Sequence, residues 1–231
     1  MDKQRKIAVI ELYNDDCLRL NFGQYKNVVI VTDPPFNMKY HYDFCNDNME
    51  ESEYFEMLSA LLEGVPAVVI HYPEMLYKLS FQMGEFPERV ISWVYNSNTP
   101  RQHRDIAFFN IKPDFTQVYQ PYKNPNDKRV KALMAKGHKG AKLYDWWNVN
   151  QVKNVSKEKT AHPCQMPLEV MKNVVGLLPK DATIVDPFMG SGTTGMAVVE
   201  MNKEQKANRS FVGVEISKQY YEIARKRIKE E

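Results

Sequence analysis

The chain has only three cysteines in 231 residues, Cys17, Cys45 and Cys164, far apart and without a CxxC pair. So few and so scattered, they build neither a disulfide framework nor a thiolate metal site. The reading is a reducing, cytoplasmic setting with no bound metal. No apolar run approaches membrane-spanning length, and the apolar stretch within MDKQRKIAVIELYND is too short for a signal peptide. Internal repeats and low-complexity tracts are also missing. With 43% hydrophobic and 26% charged residues, disorder as the main state is excluded. The length suits one domain, with or without a sizeable insertion.

Charge is unevenly spread beneath a net of +2. Residues 1–99 hold 8 Lys/Arg against 15 Asp/Glu, residues 100–160 hold 13 against 5, and residues 161–231 hold 10 against 9. Lys123, Lys128, Arg129, Lys131, Lys136, Lys139 and Lys142 face a single acid, Asp127. A polyanion is the natural partner for such a patch; a solvated, lysine-rich loop is the plainer alternative.

Short β-branched runs at 6–12, 27–32, 66–71, 89–95, 106–111, 182–186 and 210–215 predict strands, several of them buried on both faces. Helical spacing marks 51–63, with Ser52 as N-cap and Gly64 as stop, then 75–83, 167–178, 193–202 and a basic amphipathic 217–229. The Lys/Arg residues at 225–229 read as the exposed side of that last helix. Alternating β and α elements imply an α/β fold with a mostly parallel, doubly wound sheet. Apolar periodicity fades over 112–160, which reads as an insertion or long functional loop within a single domain. Tyr144, Trp146 and Trp147 would pack that insertion rather than touch a ligand.

Two loops carry chemistry. Asp186-Pro-Phe-Met-Gly-Ser-Gly-Thr-Thr-Gly195 lies between a predicted strand and a predicted helix, where glycines let a backbone approach a ligand and a helix N-terminus offers free N–H groups. There is no lysine for a phosphate-cradling P-loop. Gly190-x-Gly192-x-x-Gly195 formally matches the dinucleotide fingerprint, so NAD stays open as a ligand. Asp186 before the loop and Glu215 ending the next strand suit a cation-bearing adenosine cofactor better. A bare β–α turn is the alternative. The second loop, Asp33-Pro-Pro-Phe-Asn37, ends a buried strand. Its prolines stiffen the chain and remove N–H donors, leaving Asp33 and the Pro34 carbonyl as acceptors for an exocyclic amine and Phe36 as a flat face for a base. The plain alternative is a strand terminator. His41, His71, His103 and His138 have no matched partner and read as surface or core.

Together these loops resemble the S-adenosylmethionine-dependent DNA amino-methyltransferases, whose catalytic motif is Asp/Asn/Ser-Pro-Pro-aromatic and whose cofactor motif is similar to Asp186–Thr194. His162-Pro-Cys-Gln-Met-Pro167 is similar to that family's His-Pro-Thr-Gln-Lys-Pro, Asn14-Asp-Asp-Cys17 resembles its Asn-Gly-Asp-Cys, and Gln120-Pro-Tyr-Lys123 has a matching look. The catalytic motif comes first, which marks the permuted β class and implies a circularly permuted Rossmann-like methyltransferase fold. In it the strand at 6–12 neighbours the one at 210–215, and 112–160 is a small inserted target-recognition region. The resemblance implies a catalytic group of Asp33, Pro34, Pro35 and Phe36. It implies a cofactor site of Asp16 and Cys17 at the adenine, Glu215 at the ribose, and Asp33, Asp186, Phe188, Gly190, Ser191, Gly192, Thr193 and Thr194 around the methionine end. His162, Cys164 and Gln165 approach the carboxylate. Cys164 and Met166 depart from the usual threonine and lysine.

The implied reaction is methylation of the N6 amine of an adenine flipped out of double-stranded DNA, since aspartate at 33 with an aromatic at 36 matches the adenine-N6 members; cytosine-N4 is the alternative. Alignment and fixed acceptors would supply the acceleration. Asn37 and the seven basic residues from Lys123 to Lys142 would contact DNA. A homodimer and a cognate restriction enzyme are compatible partners, though no residue compels either. A nucleotide-binding oxidoreductase, a non-catalytic DNA-binding relative, and a methyltransferase acting on protein glutamine or RNA are the rival readings.

Overall fold

A computed structural model describes residues 8–38, 41–42 and 45–229. In chain order the elements are β1 (Ile10–Tyr13), β2 (Val28–Thr32), the short pair β3 (His41–Tyr42) and β4 (Cys45–Asn46), α1 (Glu51–Leu62), β5 (Ala67–His71), α2 (Pro73–Met83), β6 (Arg89–Val94), β7 (His103–Phe109), β8 (Tyr119–Gln120), α3 (Lys128–Ala135), β9 (Ala141–Lys142), β10 (Trp146–Asn148), α4 (Leu168–Gly176), β11 (Thr183–Asp186), α5 (Thr193–Gln205), β12 (Ser210–Val214) and α6 (Lys218–Lys229).

Eight strands make one sheet in the order β1-β12-β11-β2-β5-β7-β6-β10. The pairs from β1 to β5 are all parallel, and β7 alone runs against its neighbours. β1 pairs with β12, as the permuted motif order implies; residues 6 and 7 of the predicted first strand lie outside the described residues. The inner parallel strands, such as β2 and β5, are nearly continuous apolar runs because both faces are covered. On one face Val29, Val31, Ile70, Ile184 and Phe211 pack with α4, α5 and α6. On the other Ile30, Val69, Val185 and Val212 pack with Tyr54, Phe55 and Leu58 of α1 and Leu76 and Leu79 of α2. Alternate residues of each strand thus feed opposite layers.

Local signals set most boundaries. Pro73 opens α2 at its first turn and Gly84 closes it in the left-handed region at φ 65°. α1 begins one residue earlier than its expected cap, so Ser52 lies inside the helix and Glu50 precedes it with no side-chain cap. β7 begins at His103, three residues before the predicted strand.

The stretch 112–160 is partly built into the main sheet. Its β10 joins the main sheet, parallel to β6, and Trp147 is fully buried, with its indole N–H donating to the Tyr144 carbonyl at 2.6 Å. Trp146 and Tyr144 are exposed. The remainder is the β8–β9 hairpin with α3 at its tip; α3 is capped by Asp127 and buries none of its residues. No described helix is long and apolar enough to cross a membrane.

Candidate active site

β2 and β11 are adjacent and parallel, with Val185 paired to Ile30, so their carboxyl ends open on the same edge of the sheet. Asp33 follows one strand and Asp186 ends the other. The two loops singled out in the sequence meet there around one cavity of about 340 Å³, within the range of small-molecule sites. Asp16, Cys17, Asp33, Pro34, Pro35, Phe36, His162, Cys164, Gln165, Asp186, Phe188, Gly190, Ser191, Thr193, Thr194 and Glu215 all line it.

Two expected residues do not. Gly192 turns away from the cavity: it adopts φ 79°, and a Cβ there would sit 2.8 Å from Ala224 Cβ, so it lets α5 pack against α6. Asn37 lies beside the cavity, also with positive φ, with its amide nitrogen donating to the Met49 carbonyl at 2.9 Å. It braces the loop at the cavity's margin.

The glycine turn is fixed from below. Glu215 accepts from the Gly190 N–H through one oxygen and the Ser217 N–H through the other, both at 2.8 Å. Asp186 accepts from the Phe188 N–H at 3.1 Å and from the Thr194 hydroxyl. Arg227 is not an exposed α6 side chain: it donates to the Ser191 carbonyl at 2.6 Å and to the Ser191 hydroxyl at 3.0 Å. His162 stands over Gly190, with Nε2 3.0 Å from where a Cβ would be, edge-on to Tyr220 at 4.4 Å. Burial, then the Lys159 and Arg227 charges, pushes its imidazole down to about 4, so it is neutral.

The proline loop is braced as firmly. His71 Nδ1 accepts from the Tyr72 N–H at 2.8 Å, which leaves its Nε2–H to donate to Tyr54 at 3.0 Å, and Tyr54 donates to the Pro35 carbonyl at 2.7 Å. Burial and then Arg104 push His71 down to about 3, consistent with this neutral tautomer. The buried Asp47 accepts from the Asn37 and Met38 N–H groups at 2.7 and 3.0 Å. Phe36 is already flanked by Arg104, His71 and Tyr72, with the guanidinium carbon 4.4 Å from its ring centre. His71, Tyr54, Asp47 and Arg104 were not legible as site residues. Tyr54, His71 and Arg104 are isolated residues on α1, β5 and β7, and Asp47 lies in the bend after β4; tertiary packing places all four.

The electrostatics identify the kind of ligand. Among the described residues, six acids, Asp15, Asp16, Asp33, Asp47, Asp186 and Glu215, line the cavity against one arginine, Arg104, and no lysine. Burial raises Asp186 to about 7, helped by the Asp33 and Glu215 charges, and raises Asp33 to about 6 despite Arg104. Asp33 Oδ1 and His162 Nδ1 are buried with no hydrogen-bond partner among the described residues. Buried carboxylates short of countercharge favour a cationic ligand. They disfavour a pyrophosphate, and the Gly190 N–H that would cradle one is spent on Glu215. The NAD reading therefore loses its support. Burial also pushes the Cys17 thiol up to about 12, which leaves it an inert wall.

A family model described as "DNA methylase" (N6/N4 type) matches residues 28–226. The chain belongs to the N6/N4 DNA methylase family. Over 231 aligned residues it is 28% identical to the type II methyltransferase M.HpaI of Haemophilus parainfluenzae, covering 88% of this chain and 68% of that one. Two solved structures share the fold, each with a TM-score of 0.64: M1.HpyAVI in a complex with SAM (22% identical, 95% of this chain and 99% of that one) and the cytosine-N4-specific PvuII DNA methyltransferase (17% identical, 96% and 86%). The methylase thus has a Rossmann-like methyltransferase fold.

The basic residues lie elsewhere. Residues 112–118 run along the amino-terminal edge of the sheet, where Asp114 N–H donates to the Leu177 carbonyl and Gln205 donates to the Gln117 carbonyl. Lys136 and Lys139 share a surface hollow there with Lys180 and Lys206, at the far end of α5 from the glycine turn. Lys123, Lys128, Arg129, Lys131 and Lys142 are exposed on the same hairpin. The structure does not bring this cluster to the cavity.

Proposed function

We propose that the chain methylates the N6 amine of an adenine flipped out of double-stranded DNA, with S-adenosylmethionine as donor. What supports this most is that Asp33, just after β2, and Asp186, at the end of the adjacent β11, line one acid-rich cavity. When bound, the cofactor supplies a methyl group activated on a sulfonium. Asp186 and Glu215 would neutralise its positive end and accept from its ribose, and Asp16 would accept from its adenine amine. Asp33 and the Pro34 carbonyl would accept from the amine of the target base and turn its lone pair inward, while the braced Pro35 keeps these acceptors from relaxing. Phe36 offers the flipped base an edge or a face beside Arg104. The lysine-rich hairpin contributes attraction for DNA at long range and leaves base contacts to the cavity mouth.

The preference for adenine rests on the Asp33–Phe36 motif; cytosine-N4 uses the same geometry. Duplex DNA incubated with the protein and labelled cofactor, then digested to nucleosides and weighed by mass spectrometry, separates the readings. N6-methyladenine is expected. N4-methylcytosine would move the assignment to the alternative, and unlabelled DNA would leave a DNA-binding relative without transferase activity.

A further inference from the structure

Arg104 lies on β7, next in space to the proline loop, and is 12% exposed. Its Nη1 stands 3.6 Å from Asp33 Oδ1, close enough for charge attraction and too long for a hydrogen bond. Among the described residues, neither Arg104 Nε nor Asp33 Oδ1 has a hydrogen-bond partner. The guanidinium lies over Phe36 at 4.4 Å and also contacts the Trp93 and Tyr72 rings at 5.4 and 5.7 Å. Three rings therefore fix its plane, and Asp33 receives a countercharge that leaves its lone pairs unused. Met166 completes the setting. It stands where the resembling family usually carries lysine, and its sulfur is 3.6 Å from Arg104 Nη1; a lysine ammonium there would repel the guanidinium.

We infer that Arg104 is a positioning residue for methyl transfer: it sets the charge and orientation of Asp33 without occupying the oxygens that receive the target amine, and it steadies the Phe36 ring against which the base docks. The inference rests on the methyl-transfer reading of the cavity. The other charged and titratable groups around the pair are Asp186 across the cavity, with His71, Tyr54, Tyr72, Tyr95 and Arg101 behind it. Arg104 opposes the burial that drives Asp33 toward protonation, so its loss moves Asp33 upward. A protonated Asp33 turns one acceptor oxygen into a donor.

The test is the pH dependence of single-turnover methylation of duplex DNA by wild type, R104M and R104K, with cofactor affinity measured by calorimetry. R104M is expected to lose about 10- to 100-fold in rate at neutral pH, with its acid limb displaced upward by about one pH unit. R104K keeps the charge without the planar fork, so its limb should return to the wild-type position while part of the rate loss remains. Cofactor affinity should change less than about threefold in both. An unmoved limb in R104M overturns the inference even if the rate falls, because a merely structural role lowers rate without moving the limb. Should R104M not fold, R104K decides alone: a limb displaced as far as one unit would overturn the claim that charge is what matters. A wild-type protein that transfers no methyl to DNA instead breaks the underlying reading.

Discussion

The cavity and the basic hairpin are opposites in charge, burial and place. At the carboxyl edge of the sheet, acids sit half or fully buried, several of them held by backbone N–H groups and hydroxyls, and burial drives Asp33, Asp186 and Glu215 toward neutrality. At the other edge, lysines stand in solvent on a helix that buries nothing. Buried charge in the cavity is costly and is retained where a ligand can repay it, whereas exposed charge on the hairpin costs little and acts at a distance. A sequence states how many charges a segment has. Only the fold states which edge they occupy.

That contrast can be broken in four ways. Asp33→Ala should have the largest effect, a loss of about 10²–10³-fold in methyl transfer with folding retained, read in single-turnover assays; a loss under tenfold would remove Asp33 from the chemistry. Asp186→Asn should weaken S-adenosylmethionine about tenfold or more by calorimetry, yet stabilise the ligand-free protein by ~1–3 kcal/mol near pH 8. The sign follows from the raised values. A carboxyl that titrates at about 7 in the fold and near 4 unfolded stabilises the fold at acid pH. That stability is lost progressively between about pH 4 and pH 7, so wild-type melting temperature should fall across that window and level off above it, and Asp186→Asn should flatten the fall. Tyr54→Phe leaves the Pro35 carbonyl without its donor, which predicts ~1–3 kcal/mol of lost stability in denaturant titrations and a drop of about three- to tenfold in rate. The smallest effect belongs to the hairpin. Replacing Lys128, Lys131 and Lys139 together by Gln should leave kcat unchanged and raise the KM for DNA about threefold, more at low salt than at high. A tenfold rise, or a salt slope lowered by about three, would mean direct phosphate contacts and a duplex that wraps both edges.

The strands were legible because runs such as Val28–Thr32 and Ala67–His71 are β-branched and bounded by polar or proline residues. The two loops were legible because their chemistry is contiguous in sequence. Arg104 was not: it sits in HRDIAFF with no local mark, and its role comes from β7 lying beside β5 and facing a loop some 70 residues earlier. β10 escaped for a different reason. Three residues are too short for a period to show, and Trp147 is buried only once β6 is alongside. Arg227 looked like one more exposed base of an amphipathic helix until α6 was docked against the glycine turn. Met166 and Cys164, departures from the family pattern in the sequence, separate in space: one is buried against Arg104, and the other is exposed at the cavity rim.

The pairing of β2 with β11 spans some 150 residues, and β2 is made first. During translation its edge must wait, unzipped, for a strand that leaves the ribosome much later, a slow and aggregation-prone interval. The half-site at Asp33 therefore has no opposite wall until that late strand arrives.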